Sequence, residues 1–280
     1  DNKKKSALAS NPIVKAIGGQ RLIVICVIIA LFAFFCIKSP AFRQYSTILS
    51  ILDYSYYISF MAIGVTLALI TGGNDLSIGT GMVCYALVGG FFVTKLGMPV
   101  VVGMLIVLIM GALMGTLNGF LVAILNLPPF IATLSTMMIA RGLGSLLTGG
   151  LSITWPQAST AEGWFRSIFK ITVGDMKLPL GFVWVVLLVI VMTIFLNKTK
   201  PGRAMKAVSE DRGAAQLMGI NVNGIITITF AIGSALAAAA SLFYLMQIPS
   251  VEPTLGSMPG IKAFTAAVIG GIGSIPGAML

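Results

Sequence analysis

The feature that most constrains this chain is a series of apolar segments, each roughly as long as a bilayer is thick. A hydrocarbon core of about 30 Å needs about 20 residues of apolar helix. The segments that approach this length are Leu22–Ile37, Ser46–Thr71, Leu76–Thr94, Val100–Leu117, Phe130–Leu147, Leu180–Leu196, Ile225–Ile248 and Ile261–Leu280. They predict an all-α, polytopic transmembrane helix bundle.

The composition excludes a soluble globular domain. Hydrophobic residues make up 57% of the 280 residues and charged residues only 9%. Soluble domains are about one quarter charged. So few charges cannot cover the water-exposed surface of a chain of this length.

Positive charge indicates how the segments are oriented. The formal net charge is +10, and Lys and Arg concentrate on the cytoplasmic side of membrane proteins. The basic cluster before the first segment consists of Lys3, Lys4, Lys5, Lys15 and Arg21. The basic cluster after Leu196 consists of Lys198, Lys200, Arg203, Lys206 and Arg212. If the chain starts inside the cell and crosses the membrane at each apolar segment, both basic clusters lie on the cytoplasmic side. We therefore expect a cytoplasmic N-terminal segment over 1–21, a membrane domain over 22–280, an outer loop at about 148–179 and a cytoplasmic loop at about 197–223.

The residue types limit the chemistry that the chain can perform. It has no histidine and eight acidic residues, so a Ser-His-Asp triad and histidine zinc ligands are excluded. Cys26, Cys36 and Cys84 lie inside apolar segments without metal or redox spacing. No P-loop sequence is present, so ATP-driven work would need a separate subunit. We expect no enzymatic activity, no cofactor and no bound metal.

Two glycine breaks interrupt the apolar segments in a similar way. The first contains Gly72-Gly73-Asn74-Asp75 followed by Ser77-Ile78, and the second contains Gly270-Gly271 followed by Ser274-Ile275. With one gap, Gly-Gly and Ser-Ile align, which suggests an internal duplication. Paired interruptions of this kind mark the substrate pathway in many transporters. Close packing of membrane helices is the alternative explanation of the glycines.

Asp75 gives the first break two possible roles. An ionisable residue at membrane depth is a functional-site candidate. A carboxylate can also cap a helix that begins near Leu76. We expect the break to lie near the membrane midplane and to line a substrate pathway formed by Gly72, Gly73, Asn74, Asp75, Ser77, Gly270, Gly271 and Ser274. Asn118 and Asn126 flank a further polar break before Pro128.

The 197–223 loop contains the signals of a short helix. Ser209 is a good N-cap residue, which would put Glu210 and Asp211 in the first helical turn. Gly219 is placed to end the helix in a left-handed conformation. The small and apolar residues between them suit a groove on another protein. A merely solvated basic loop is the alternative.

Several of these motifs resemble permease subunits of ABC importers. The 197–223 loop is similar to the loop through which such permeases contact their ATPase, although Gly213 stands where the family usually has Glu. The matching residues are Arg203, Ala214, Ala215, Gly219, Ile220 and Asn221. Three segments resemble the ribose/galactose/xylose-type permeases, namely Leu69–Gly79, Leu117–Val122 and Leu127–Leu134. Gly260–Ala278 looks more like the branched-chain amino-acid permeases of the same superfamily.

This resemblance implies a transport subunit in the cell membrane of a prokaryote. Two permease subunits, identical or different, form the pathway, two cytoplasmic ATP-binding subunits drive it, and an extracytoplasmic solute-binding protein delivers the substrate. The residues implied in ATPase coupling are Arg203, Glu210, Asp211, Ala214, Ala215 and Gly219. Family members usually continue for more helices, so the permease domain is expected to be C-terminally incomplete.

The expected substrate is a monosaccharide, a pentose or a hexose. Within the same class, branched-chain amino acids and nucleosides remain alternatives. An ion-coupled secondary transporter with Asp75 or Asp53 as its carrier site is the alternative of another class.

Overall fold

A computed structural model describes residues 19–168, 170–173, 176–271 and 273–279. Most of the expected N-terminal segment over 1–21 lies outside the described residues. The helices are α1 Gly19–Lys38, α2 Tyr45–Ile70, α3 Ile78–Thr94, α4 Val100–Ala123, α5 Pro129–Thr148, α6 Leu180–Lys198, α7 Lys200–Glu210, α8 Arg212–Leu217, α9 Val222–Gln247, α10 Ser257–Ile269 and α11 Ile275–Met279. Short 3-10 helices cover Pro40–Arg43 and Ala161–Ile168.

The expected all-α polytopic bundle is confirmed. Five helices in the described part, α2, α4, α5, α6 and α9, are long and apolar enough to cross a membrane. Apolar helices over 22–38, 78–94 and 257–269 are shorter. The last apolar segment is divided, since α10 ends at Ile269 and α11 begins at Ile275.

One expected break is shorter than the sequence suggested. Helix α4 continues through Asn118 to Ala123, so Asn118 lies inside a helix and does not flank a break. The interruption begins only after Ala123, where Asn126 has a left-handed backbone with φ of 54°. Pro128 then precedes α5, which begins with Pro129, as is common for proline at a helix start.

Glycines bring α9 close to α2 and α4. Gly64 of α2 lies against Gly233 of α9, and a Cβ on Gly64 would approach the Gly233 carbonyl oxygen to 2.6 Å. On α4, glycines at four-residue intervals face the α9 backbone, namely Gly111, Gly115 and Gly119. Small residues at helix–helix contacts let backbones approach closely, which is a main source of packing energy in membranes. The close-packing explanation therefore holds for these glycines.

The 148–179 segment is folded and packs on the bundle. Strand β1, Ile153–Thr154, pairs antiparallel with β4, Ser250–Val251. Strands β2, Lys170–Val173, and β3, Met176–Pro179, form a second antiparallel pair. The fully buried Trp155 donates from Nε1 to the Ala86 carbonyl oxygen at 2.9 Å. Glu162 accepts from the backbone N–H of Val100 at the start of α4, where a negative charge is favoured.

The contact between α4 and α9 gives a testable prediction. In Gly115→Ala the new methyl group would lie 2.7 Å from Ala231 Cα and 2.8 Å from Ser234 Cβ. Overpacking of this kind costs about 1–3 kcal/mol. We expect a lower thermal unfolding midpoint and a lower monodisperse yield in detergent.

Gly142→Ala is the matched control, because Gly142 is an exposed helical glycine with no atom within 4 Å of its added Cβ. Alanine stabilises a helix interior by about 0.5–1 kcal/mol relative to glycine, so this variant should be as stable as the parent or more so. Equal stability of the two variants would contradict the packing described for α4 and α9.

Candidate functional site

The first glycine break begins with a well-formed end of α2. Gly72 has a left-handed backbone with φ of +73°. Its N–H donates to the Leu69 carbonyl oxygen at 3.0 Å, and the Gly73 N–H donates to Ala68 at 2.9 Å. This pair of bonds is the Schellman arrangement, in which glycine avoids the steric penalty of a left-handed residue. The two glycines therefore terminate the helix and turn the chain.

Asp75 holds the turn that follows. Its Oδ1 accepts from the backbone N–H of Ser77 at 2.9 Å and from the Ser77 hydroxyl at 2.6 Å. Helix α3 begins at Ile78, so the expected helix start near Leu76 is two residues too early. The Asp75 side chain closes a short turn with Ser77, which is the residue just before the helix. Both residues are buried.

A buried hydrogen-bond chain extends from this turn into α4 and α5. Asn118 donates from Nδ2 to Ser77 Oγ at 2.8 Å, and Thr136 donates to Asn118 Oδ1 at 2.7 Å. Thr133 Oγ1 lies 3.0 Å from the Asn74 carbonyl oxygen. Asn118, Thr133 and Thr136 were not predicted to belong to this site. A primary amide within an otherwise apolar span was the available signal for Asn118.

The polar chain leaves some buried atoms unpaired. Asn74 Oδ1 and Asp75 Oδ2 are buried and have no hydrogen-bond partner within the described residues. Buried polar groups are nearly always paired with protein or water, so these two oxygens are available to accept hydrogen bonds. Within the described residues, no three His, Cys, Asp or Glu side chains come together in a way that could hold a metal ion.

The break follows a helix that is long enough to cross a bilayer alone. Helix α2 has 26 residues, which extend about 39 Å at 1.5 Å per residue. The break also contacts the 197–223 segment, as described below. The midplane position of the break stays a prediction.

The second glycine break reaches the same cavity as the first. Gly271 ends α10 with φ of +97°, and Gly273 has φ of +88°. Gly270 packs against the backbone of Gly277, and Ser274 Oγ accepts from the Gly277 N–H at 3.1 Å. A cavity of about 490 Å³ is lined by Gly72 and Gly273 together with residues of α7 and α8. The two breaks thus approach each other at one end of the bundle.

The 197–223 segment contains two helices in place of the single expected one. Thr199 caps α7 by accepting from the Gly202 N–H, and α7 includes Arg203 and ends at Glu210. Asp211 caps α8 by accepting from the N–H groups of Gly213 and Ala214 at 2.7 and 3.0 Å. The expected cap at Ser209 is wrong, because its hydroxyl donates to the Lys206 carbonyl oxygen inside α7. Glu210 and Asp211 accordingly lie before the first turn of α8.

The end of α8 is as expected, and large apolar side chains of the expected contact surface are exposed there. Gly219 has φ of +80°, which confirms the left-handed ending. Ala215 is buried and Ala214 is exposed. Leu217, the last residue of α8, and Met218, which follows it, are 91% and 83% exposed. Two large apolar side chains at one exposed point indicate a contact surface.

Arg212 connects α8 to the first glycine break. Its Nη2 donates to the Thr71 carbonyl oxygen at 2.6 Å, across 141 residues of sequence. Arg212 also lines the cavity shared by Gly72 and Gly273. The structure therefore brings the expected coupling segment and both expected pathway breaks to one end of the bundle.

The chain belongs to a family of membrane permeases. Residues 47–280 match the family described as branched-chain amino acid transport system, permease component. This match covers most of the chain and agrees with the apolar helices, so the chain is a multi-pass membrane protein. The resemblance to importer permeases inferred from the motifs is confirmed.

Individual relatives are named for different substrates. A fructose import permease of Bifidobacterium longum is 35% identical over 225 residues, which cover 79% of this chain and 65% of the relative. A ribose import permease of Escherichia coli K12 is 31% identical over 260 residues, covering 90% of this chain and 76% of the relative. A high-affinity branched-chain amino acid permease of Pseudomonas aeruginosa is 52% identical over 99 residues, or 35% of this chain and 32% of the relative. The chain thus spans less than two thirds of the fructose permease. No solved structure matches it.

Asp75 can be tested through the atoms that it binds. Asp75→Asn keeps an oxygen that accepts from Ser77, whereas Asp75→Ala removes it. Loss of a capping acceptor costs about 0.5–2 kcal/mol. We expect Asn to retain most of the parent thermal stability and Ala to lower the unfolding midpoint and the folded yield. If the two variants are equally stable, the bonds from Ser77 do not hold the turn.

Proposed function

We propose that this chain is the permease subunit of an ATP-driven importer and forms the translocation path for a monosaccharide. The observation that carries this proposal is the family match over residues 47–280, together with relatives named as fructose and ribose import permeases that align with 79% and 90% of the chain. Such a subunit performs no covalent chemistry. Its partners would be an ATP-binding subunit, a second permease subunit and an extracytoplasmic solute-binding protein.

The path is proposed to run past the two glycine breaks. Gly72 is exposed, and it shares a cavity with Gly273. Gly73, Asp75 and Ser77 are buried, so they would support the break from behind while backbone groups near Gly72 and Asn74 face the solute. Gly270, Gly271 and Ser274 would do the same from the second break. Unwound backbone at broken helices is where transporters place their solute contacts.

A neutral, hydroxyl-rich solute suits these groups. Carbonyl, amide and hydroxyl groups make hydrogen bonds that are individually weak, and a translocation path must release its solute as well as admit it. Around the first break the side chains of Asn118, Thr133 and Thr136 are neutral hydrogen-bonding groups. The two charged side chains there are already bonded within the protein, Asp75 to Ser77 and Arg212 to the Thr71 carbonyl oxygen, so neither is proposed to hold an amino-acid zwitterion. Branched-chain amino acids are the second candidate, because of the 52% identity over 99 residues.

The proposed function is tested by uptake into vesicles. The permease is reconstituted with its ATP-binding subunit and its solute-binding protein, and uptake of ribose, fructose and leucine is followed with and without ATP. We expect ATP-dependent uptake of a sugar. Calorimetry of the binding protein against the same solutes should show tight sugar binding.

Two results would contradict the proposal. Tight leucine binding without sugar binding would support the second candidate. Accumulation by the permease alone under a proton or sodium gradient would support an ion-coupled secondary transporter.

The ATP-binding subunit is proposed to dock on α8. Leu217 and Met218 project from the end of this helix, and an apolar anchor surrounded by polar residues is typical of an interface centre. Leu217→Ser should therefore reduce co-purification with the ATP-binding subunit by about tenfold, the effect of a loss near 1.4 kcal/mol. Folded yield should not change, because the side chain is exposed.

Leu151→Ser is the control for this prediction. Leu151 is also a strongly exposed leucine, at 72%. It follows the C-terminal end of α5, whereas the α4–α5 turn lies at the N-terminal end of that helix. Its replacement should leave co-purification unchanged. An equal loss in both variants would show a general surface effect and not a docking contact at α8.

A further inference from the structure

The end of α2 has a carbonyl group that its own helix does not satisfy. The Schellman bonds from Gly72 and Gly73 are accepted by Leu69 and Ala68. The carbonyl oxygen of Thr71 lies beyond them and points out of the helix end. Thr71 is buried, and a buried carbonyl group without a partner is costly. The guanidinium of Arg212 satisfies this one at 2.6 Å.

Arg212 occupies a position that its own helix does not favour. It is the first residue of α8, directly after the cap Asp211. A positive charge in the first turn opposes the helix dipole, whereas a positive charge at the C-terminal end of a helix is favourable. Arg212 therefore acts as a C-terminal cation for α2 and not as a stabiliser of α8.

Gly72 fits this contact through its small size. A Cβ at Gly72 would lie 3.0 Å from Arg212 Nη2, which is closer than side chains normally pack. The left-handed backbone of Gly72 and its missing side chain thus serve both the helix ending and the approach of the guanidinium.

Helix α8 carries two surfaces on one short rigid unit. Arg212 begins the helix, and Leu217 ends it. Six residues extend only about 9 Å at 1.5 Å per residue. The Asp211 cap and the left-handed Gly219 fix both ends of this unit. A displacement of the exposed end must therefore move the Arg212 end with it.

We propose that Arg212 is a positioning residue that joins α8 to the first glycine break, so that motion of α8 is transmitted to the end of α2. This inference rests on the proposed function, in which an ATP-binding subunit contacts α8. A bond with a charged donor is strong enough to transmit such motion because it is worth more than a neutral hydrogen bond.

The test compares three variants in the complete transporter. Arg212→Gln removes the charge and shortens the side chain, Arg212→Lys keeps a cation that can reach one carbonyl oxygen, and Lys200→Gln is the control. Lys200 is likewise the exposed first residue of a capped helix, α7. Measured quantities are co-purification with the ATP-binding subunit, ATP hydrolysis, and solute transported per ATP hydrolysed.

We expect Arg212→Gln to keep its association with the ATP-binding subunit and to lower transport per ATP by about tenfold, a typical coupling effect. Arg212→Lys should recover a substantial part of this loss, and Lys200→Gln should behave as the parent. A residue that only stabilises the fold would lower hydrolysis and transport together, with transport per ATP unchanged.

Hydrogen exchange at the break gives a readout independent of transport. Amide exchange in the peptide over residues 68–80 should be faster in Arg212→Gln than in the parent and in Lys200→Gln. Unchanged exchange with unchanged transport per ATP would overturn the inference. Failure of the parent chain to bind any ATP-binding subunit would overturn the proposed function instead, so the two failures are distinguishable.

Discussion

The structure depends on one physical requirement, that every backbone polar group buried away from water finds a hydrogen-bond partner. Continuous helices meet it by themselves, but a broken helix must be supplied with partners. At the first break the Schellman bonds, the Asp75 carboxylate, the Thr133 hydroxyl and the Arg212 guanidinium supply them. These partners come from three parts of the chain, namely the break itself, α5 and α8. The break therefore fixes how α2, α3, α5 and α8 are placed around it.

The same requirement explains how the helices are packed. Lipid is as apolar as the side chains, so burial alone does not draw membrane helices together. Close backbone approach at Gly64, Gly115 and Gly233 provides the contact that holds α9 between α2 and α4. Glycines in this chain thus serve two purposes. Gly64, Gly115 and Gly233 in helix interiors permit packing, and Gly72 and Gly271, which have positive φ, end helices.

The sequence predicted those features that one segment determines alone. Apolar length located α2, α5 and α6 to within one or two residues, because a bilayer imposes that length whatever the neighbours are. The left-handed Gly219 was also foreseen. The N-cap of α8 was misplaced at Ser209 because Ser209 and Asp211 are both good caps, and only the packing of α7 decides between them. The contacts of Asn118 with Ser77 and of Arg212 with Thr71 join residues 41 and 141 positions apart, and no local pattern reports such distances.

The two breaks resemble each other in sequence, but their helices end one residue apart in that alignment. At the first break Thr71 is the C-cap residue of α2 and the left-handed residue is the first glycine of the pair, Gly72. At the second break Gly270 is the C-cap residue of α10 and the left-handed residue is the second glycine, Gly271. The carbonyl group of the C-cap residue has different surroundings at the two breaks. At the first break that group belongs to Thr71 and binds Arg212, whereas Gly270 packs closely against Gly277. Among the residues that the structure describes, the hydrogen bond from α8 reaches the first break alone, so any motion of α8 would act on the pair of breaks asymmetrically.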